Sequence, residues 1–380
     1  MANTLTRLIA DSYKALDRIG RELTGFIPSV TWDPSLARGA INQDVVIPVT
    51  PPGVAQDIVP ATTAPDNGDT VVGNETFRIQ KSRMVPFRWE GEEALGLNNG
   101  GIGVLSIQQN QIAQAMRTLV NEIESDFAAL YIRGSRAWGT SGTAPFGSGV
   151  LINDMAQARK ILVDNGSGDS DLSLVMDTNA GVNIRTIPNL FKVNEAGDAS
   201  LLRQGVLTDL YGVPMRESAQ IKLHVNGTSN NAYTTTGTYA IGATAITVGV
   251  GAGTIVAGDV ITFAGSAHQY QVKTALSGGV VVIGSPGLRA ALGNGVAITT
   301  TAVYRANMMF HRSAILGAMR LPALPPNGDG ASDRTQIQDP RTGLVFEIAM
   351  YPQYRRMRYE VGCAWGVKNI KDEHVMVLKG

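Results

Sequence analysis

Apolar residues at three- and four-residue spacing mark two helices. In the first, Leu5, Leu8, Ile9, Leu16, Ile19 and Leu23 fall on one side of a helical wheel while Arg7, Lys14, Arg18 and Arg21 lie mostly elsewhere. The spacing predicts an amphipathic helix that stops at Gly25 and Pro28, either packed on its own domain or docked on another subunit or accessory protein. The second signal is stronger. Ser106-Ile107-Gln108-Gln109 reads as a capping box, and Ile112, Met116, Leu119, Val120, Ile123, Phe127, Leu130 and Tyr131 then keep a 3.6-residue period until Gly134 supplies a stop. Some twenty-eight residues at a rise of ~1.5 Å make a rod of roughly 40 Å. Gln111, Gln114, Arg117, Asn121, Glu122 and Ser125 occupy its other face, so the helix is expected to lie on a sheet with one side in water.

Elsewhere the pattern changes to strands. Val45-Val46-Ile47-Pro48-Val49 and Glu75-Thr76-Phe77-Arg78-Ile79 flank a stretch holding Pro51, Pro52, Gly53, Pro60, Pro65, Asn67 and Gly68. A loop longer than about fifteen residues is uncommon inside a compact domain, and this one has too few large apolar groups to build a core. Its partners are therefore expected outside its own domain. Asp57, Asp66 and Asp69 on the loop, with Arg78, Lys81 and Arg83 at its base, are the candidate subunit-interface residues.

Residues 150–222 read as mixed α and β: Leu151–Leu162 as a helix, Leu172–Met176 as a strand, Asp177–Ile184 as the start of another helix, and Tyr211–Met215 as a turn entering a strand. A different texture follows. Residues 228–303 are rich in Gly, Thr, Val and Ala and carry Asp259, Lys273 and Arg289 as their only charges. Strand signals at Ala245–Val250, Asp259–Phe263, Tyr270–Val272, Val280–Ile283 and Val296–Thr300, separated by glycine turns, predict a small barrel or sandwich inserted into a host that is discontinuous in sequence. Beyond it, Ser313–Met319 reads as helical, Leu321–Gly330 as a loop, and Gly343–Met350, Tyr354–Trp365 and His374–Leu378 as strands. No repeat of fixed period is present.

Composition narrows the function. At 380 residues and 44% hydrophobic content, two or three domains with real cores are expected. Lys+Arg and Asp+Glu balance at 32 each, so there is no overall basic field to drive nonspecific nucleic-acid binding. The single cysteine, Cys363, rules out an internal disulfide framework and reads as a small buried hydrophobe in a strand. No run of eighteen apolar residues occurs, and residues 1–24 hold no apolar block, so neither a membrane span nor a signal peptide is expected.

Motifs for catalysis are missing. His224, His268, His311 and His374 lie in unrelated segments without a second ligand at metal spacing, and neither a G-x-S-x-G elbow nor a phosphate-binding G-x-x-x-x-G-K-[ST] loop occurs. Gly101-Ile102-Gly103 and Gly251-Ala252-Gly253 read as turns. The acidic clusters at Asp164–Asp171 and Asp329–Asp333 lack the alternation of a calcium loop. Arg355-Arg356-Met357-Arg358 sits in a strand pattern, where Arg356 and Arg358 share a face and a salt bridge is the default reading. No catalytic, cofactor or metal site is called for, and Lys81 with Asn369 lacks the glutamate that a Lys–Asn crosslink requires.

The order of parts, from N-terminal arm to extended loop, long helix, α/β region, β insertion and returning strands, resembles the major coat protein of tailed bacteriophages with the HK97-like capsid fold, in the P22-like group. The resemblance is carried by Leu210-Tyr211-Gly212-Val213-Pro214-Met215, by Gly258-Asp259-Val260-Ile261-Thr262-Phe263-Ala264-Gly265, by Met309-Phe310-His311-Arg312-Ser313-Ala314 with Leu321-Pro322-Ala323-Leu324-Pro325, and by Cys363-Ala364-Trp365-Gly366-Val367 with Glu373–Leu378. It implies an α+β fold divided into an N-terminal arm (1–41), an extended loop region (42–90), a peripheral domain with its spine helix (91–149), an axial domain (150–225 and 304–350), an inserted β-barrel domain (226–303) and C-terminal peripheral strands (351–380). It further implies pentamers and hexamers of one subunit in an icosahedral shell around double-stranded DNA, with a scaffolding protein and a portal, no cofactor and no membrane. The shell would belong to the virion and be assembled in the host bacterial cytoplasm. The insertion is short and nearly uncharged compared with the P22 pattern, so it is expected to stabilise its own subunit. Two other readings compete: an encapsulin-type nanocompartment shell, and a glycan-binding adhesin or hydrolase centred on the β insertion, where Tyr233, Tyr239, Phe263 and Tyr270 are the only aromatics.

Overall fold

The computed structural model describes residues 24–33, 35, 37–49, 55, 57–60, 62–63, 73–99, 104–147, 152–187, 190, 209–338 and 343–380. The N-terminal amphipathic helix expected before Gly25 lies outside these residues.

The long helix, Val104–Ala128, is 25 residues and therefore about 37 Å long. Its apolar stripe of Ile112, Met116, Leu119, Val120, Ile123 and Phe127 is buried, and it lies across the Lys81–Glu90 and Arg356–Asn369 strands. Both expected ends need correction. The helix starts two residues before Ser106, so Ser106 is not its cap. A 3-10 turn, Ala129–Arg133, continues it to Gly134, whose backbone is extended, with φ −61° and ψ 151°. The close approach here constrains Gly284 instead: a Cβ on Gly284 would lie 2.3 Å from the Gly134 carbonyl oxygen, whereas one on Gly134 would meet Val377 Cγ2 at 3.1 Å, a tight contact that a small shift can relieve.

Beneath this helix is a seven-stranded sheet of the described residues, with Thr31–Asp33, Ile315–Pro322, Arg356–Asn369, Val345–Gln353 and Asp333–Gln338 in order. Arg38–Gly39 also pairs Ile315–Pro322, and Lys81–Glu90 pairs Arg356–Asn369 along an edge. Ile315–Pro322 overturns the helix expected at Ser313–Met319. Residues 315–321 are all buried, because the strand has sheet neighbours on both edges and is covered on both faces. Without a solvent face the alternation disappears, and the helix-favouring Ala, Leu and Met that remain mislead a local reading. The short helix Gly91–Asn99 and the Asp333–Gln338 strand are also outside what the pattern anticipates.

A second sheet spans the molecule. Met215–Glu217, Leu172–Met176, Tyr304–His311, Val375–Lys379 and Arg136–Trp138 lie side by side, and the Arg136–Trp138 strand continues into Gln269–Ser277, Val280–Ile283 and Ala245–Gly249. The Tyr304–His311 strand joins two cores, since Met308 and Phe310 face the long helix while Met309 faces Met155, Leu162 and Ile184 of the helices Ile152–Asp164 and Thr178–Arg185. The latter helix is capped by Asp177, which accepts from the Ala180 amide at 3.1 Å. A third core, of Ile246, Ile261, Phe263, Tyr270, Val281 and Ile298, belongs wholly to residues 228–303.

Candidate assembly surface

Asp44–Val49 and Gly73–Arg78 form a two-stranded antiparallel ribbon to which no other described strand adds. Its base is fixed. Phe77 and Ile79 bury their side chains against Leu316, Ala318 and Ala364, the Ile79 amide donates to Gln43 O at 3.1 Å, and Lys368 Nζ reaches Glu75 Oε1 and Thr76 O, both at 2.8 Å. Toward the tip, the described residues give the ribbon no further support. Val46 is 57% exposed, and among the described loop residues Ile58 and Val59 are 98% and 73% exposed. A two-stranded ribbon is marginal in water by itself, and this one leaves apolar side chains exposed in its outer part.

The six interface candidates fall into three groups. Asp57 is exposed on the loop, and Asp66 and Asp69 lie outside the described residues. Arg78 pairs across the ribbon with its register partner Asp44, Nε to Oδ1 at 2.6 Å, with both groups largely in water. Lys81 and Arg83 turn to the long helix: Lys81 Nζ lies 3.0 Å from Glu122 Oε1 and 2.8 Å from Asp126 Oδ1, and Arg83 Nε is 3.4 Å from Glu122. Burial acts to lower the Lys81 pKa, but the hydrogen bonds to Asp126 and Glu122 outweigh it and the net shift is upward. Trp365 Nε1 donates to the other Asp126 oxygen at 2.9 Å. Lys81 thus pins the strand to the helix, and its charge is already met within the chain. The Arg356/Arg358 face behaves as the salt-bridge reading expects for Arg358, which pairs with Glu360 at 2.6 Å.

Three polar clusters important to the architecture escape a reading by spacing. Glu124 sits on the buried side of the long helix, where its carboxylate accepts from the Gly25, Phe26 and Ile27 amides at 2.6, 2.8 and 3.1 Å. Burial raises its pKa against the opposing pull of those amides. At the root of the 228–303 segment, Asp259 accepts from the Val256 and Gly227 amides and stands 2.8 Å from His224 Nε2, while His224 Nδ1 is 2.8 Å from the Tyr131 hydroxyl. A carboxylate only accepts, so Nε2 carries the proton and, in the neutral ring, Nδ1 accepts from Tyr131. Burial, with the Asp259 charge nearby, pushes the Tyr131 hydroxyl up to about 12. The third cluster joins Arg334 to Asp329, to Glu347 at 2.5 Å and to Tyr351; Glu347 also meets Arg38 at 2.5 Å. Hydrogen bonds from Arg334 and Tyr351 hold the Asp329 carboxyl well below the usual carboxylate range.

Among the described residues no group of three His, Cys, Asp or Glu side chains is set to hold a metal ion, and no helix is long and apolar enough to cross a membrane. The Cys363 thiol is fully buried and its pKa is pushed up by desolvation.

The chain is similar to several solved structures. A chain in the capsid structure of the cyanophage P-SCSP1u superposes with a TM-score of 0.52 at 10% identity, covering 94% of this chain and 88% of that one. A Mycobacterium phage Che8 chain aligns at 0.49 with 12% identity over 89% and 84%, and one from a virus-like particle of Pyrococcus furiosus at 0.42 with 11% identity over 97% and 96%. No family model matches the sequence, and no curated protein matches it either. The cyanophage match defines the class: this chain has a capsid-like fold, mixed in α and β and with few helices among its described residues.

Proposed function

We propose that the chain is the major capsid protein of a tailed bacteriophage, self-assembling through pentamers and hexamers into an icosahedral shell around double-stranded DNA. The observation that carries this reading is the capsid-like fold, shared with the cyanophage capsid chain over nearly the whole of both chains. The two-stranded ribbon supports it, because a repeated lattice contact is what would cover the exposed tip. In this reading Asp57, Asp66 and Asp69 meet a neighbouring subunit while Arg78, Lys81 and Arg83 hold the root of the loop.

The finer division is part of the same proposal: HK97-like peripheral and axial domains, with residues 226–303 as an inserted β-barrel. The separate core of the segment supports insertion, as does the antiparallel pairing of its two ends, His224 opposite Tyr304. A scaffolding protein and a portal are the expected partners, with the virion as the destination and the host bacterial cytoplasm as the place of assembly.

Light scattering and electron microscopy of the expressed protein, with and without a co-expressed scaffold, test the reading. Closed shells are expected, and monomers under both conditions would overturn it. Nucleic acid inside the shells of infected cells supports the phage role, whereas an enzyme cargo there would replace it with a nanocompartment.

A further inference from the structure

The C-terminal strand carries a cation that no described residue neutralises. Lys379 is 2% exposed, and its ammonium has neither an ion-pair nor a hydrogen-bond partner among the described residues. Other buried cations are met: Arg320 by Asp33, Ser35 O and Met319 O, and Arg136 by Ile161 O and Asp164. Desolvation alone pulls the Lys379 amine down to about 8. Nearby, Gln269 donates Nε2 to Gly139 O at 3.3 Å, and its Oε1 is buried without a donor.

Both orphans line one cleft of about 270 Å³, together with Thr140, Thr143, Trp138 and Asp154. The Asp154 oxygens are engaged elsewhere, accepting from Trp138 Nε1 and the Phe146 amide, each at 3.1 Å. At roughly 30 Å³ per water the space holds about nine waters, enough for a small polar molecule. The two unmet groups define what that molecule must carry. Lys379 requires an anionic acceptor, and Gln269 Oε1 requires a donor. A plain carboxylate supplies only the first. An ammonium compound supplies only the second and is repelled by Lys379.

We propose that this cleft binds a small hydroxy-oxyanion, placing a charged oxygen on Lys379 and an O–H on Gln269 Oε1. Hydrogen phosphate and 2-hydroxycarboxylates have this chemistry; the hydroxyls of Thr140 and Thr143 can complete either.

The test is competitive acylation of the intact folded chain at pH 8 with limiting isotopic acetic anhydride, read at each lysine by peptide mass mapping. Saturating phosphate or lactate, at matched ionic strength, is expected to slow Lys379 at least about fivefold relative to Lys160 and Lys273 in the same sample. Acetate, which lacks the donor, is expected to protect less than about twofold. Protection by phosphate alone or by lactate alone assigns the ligand class within the proposal. Equal protection by acetate, no protection by any of the three, or a Lys379 that fails to label without ligand overturns it. In Gln269→Met the distinction between lactate and acetate should vanish; because the competition is read in the unaltered protein, the outcome stands even where this variant folds poorly.

Discussion

The 44–78 ribbon with its loop and the 228–303 segment have similar sequence textures: few charges on the strands and many turn residues. Their physical situations are opposite. The segment closes on Ile246, Phe263, Tyr270 and Val281, and then ties itself to the rest of the subunit through Asp259, His224 and Tyr131. The ribbon buries Phe77 and Ile79 at its root and leaves Val46, Ile58 and Val59 to solvent. Among the described residues one region satisfies itself, and the other, under the proposed function, is completed from outside. Substitutions in the first should therefore be read in subunit stability, and substitutions in the second in assembly.

The largest stability effect is expected in the segment core. Phe263 is 2% exposed and its ring lies 5.6 Å from that of Tyr270, so Phe263→Ala should cost about 3–5 kcal/mol in denaturant unfolding. The contrasting change, Val46→Ala at the ribbon, should stay within about 0.5 kcal/mol. Equal losses at the two positions would erase the comparison.

A smaller loss is expected at the seam between segment and host. Tyr131→Phe keeps the ring and removes the hydroxyl that pairs with His224 Nδ1, leaving a buried ring nitrogen unmet at about 1–3 kcal/mol. Chemical denaturation of the full chain measures this. A change near zero would mean that the contact does not hold the segment in place.

The difference between the two regions is partly legible in the amino-acid pattern alone. Alternation survives where one sheet face meets water or a turn, so the segment strands around Ile246, Ile261 and Val281 are readable to within a few residues. It fails at Ile315–Pro322, which is buried on every side, and there helix propensity misleads. Glu124 reads as one more polar residue on a long helix, because nothing local reveals that the amides of residues 25–27 fold back onto it. His224 and Asp259, 35 residues apart, carry no motif; their pairing is a product of topology. Lys81 reads in the sequence as a candidate for contact with another subunit, and the partners it finds, Glu122 and Asp126, lie on the neighbouring helix of its own subunit.

A pH titration sharpens the seam further, with a smaller expected effect. His268 in the segment has its pKa lowered by burial and by the positive charges of Arg136, Lys160 and Arg289; His374 in the host is lowered mainly by burial. Both folded values lie below the ordinary 6.5, so the unfolded chain takes up these protons first. Their contribution to stability is fully present above pH ~6.5 and is lost as pH falls through the lower folded values. Unfolding free energies measured between pH 7.5 and 5 should decline, and His268→Asn should flatten part of that decline. A rise on acidification would contradict the assignment.

The smallest effect on the subunit is expected from the most drastic change to the ribbon. Residues 56–70 include Asp57, Asp66 and Asp69, and the described residues among them, including Ile58 and Val59, contribute no side chain to any core. Replacing all fifteen positions with a short Gly/Ser linker leaves Phe77 and Ile79 seated against Leu316, Ala318 and Ala364, so the root of the ribbon keeps its anchor. Closing a shorter or equal loop changes chain entropy by only about 0.6 kcal/mol per twofold change in length, and circular dichroism and the subunit melting curve should hardly move. Assembly should respond in the opposite way. A contact repeated at every lattice position acts through avidity, so a modest loss per subunit is multiplied around the shell and should abolish closed particles or make them aberrant. Electron microscopy of the assembly products gives the answer alongside the melting curve. Normal shells from the replaced loop would refute the outward role of the ribbon, and a collapsed subunit would mean that the loop belongs to its own core after all, placing both regions in the same class.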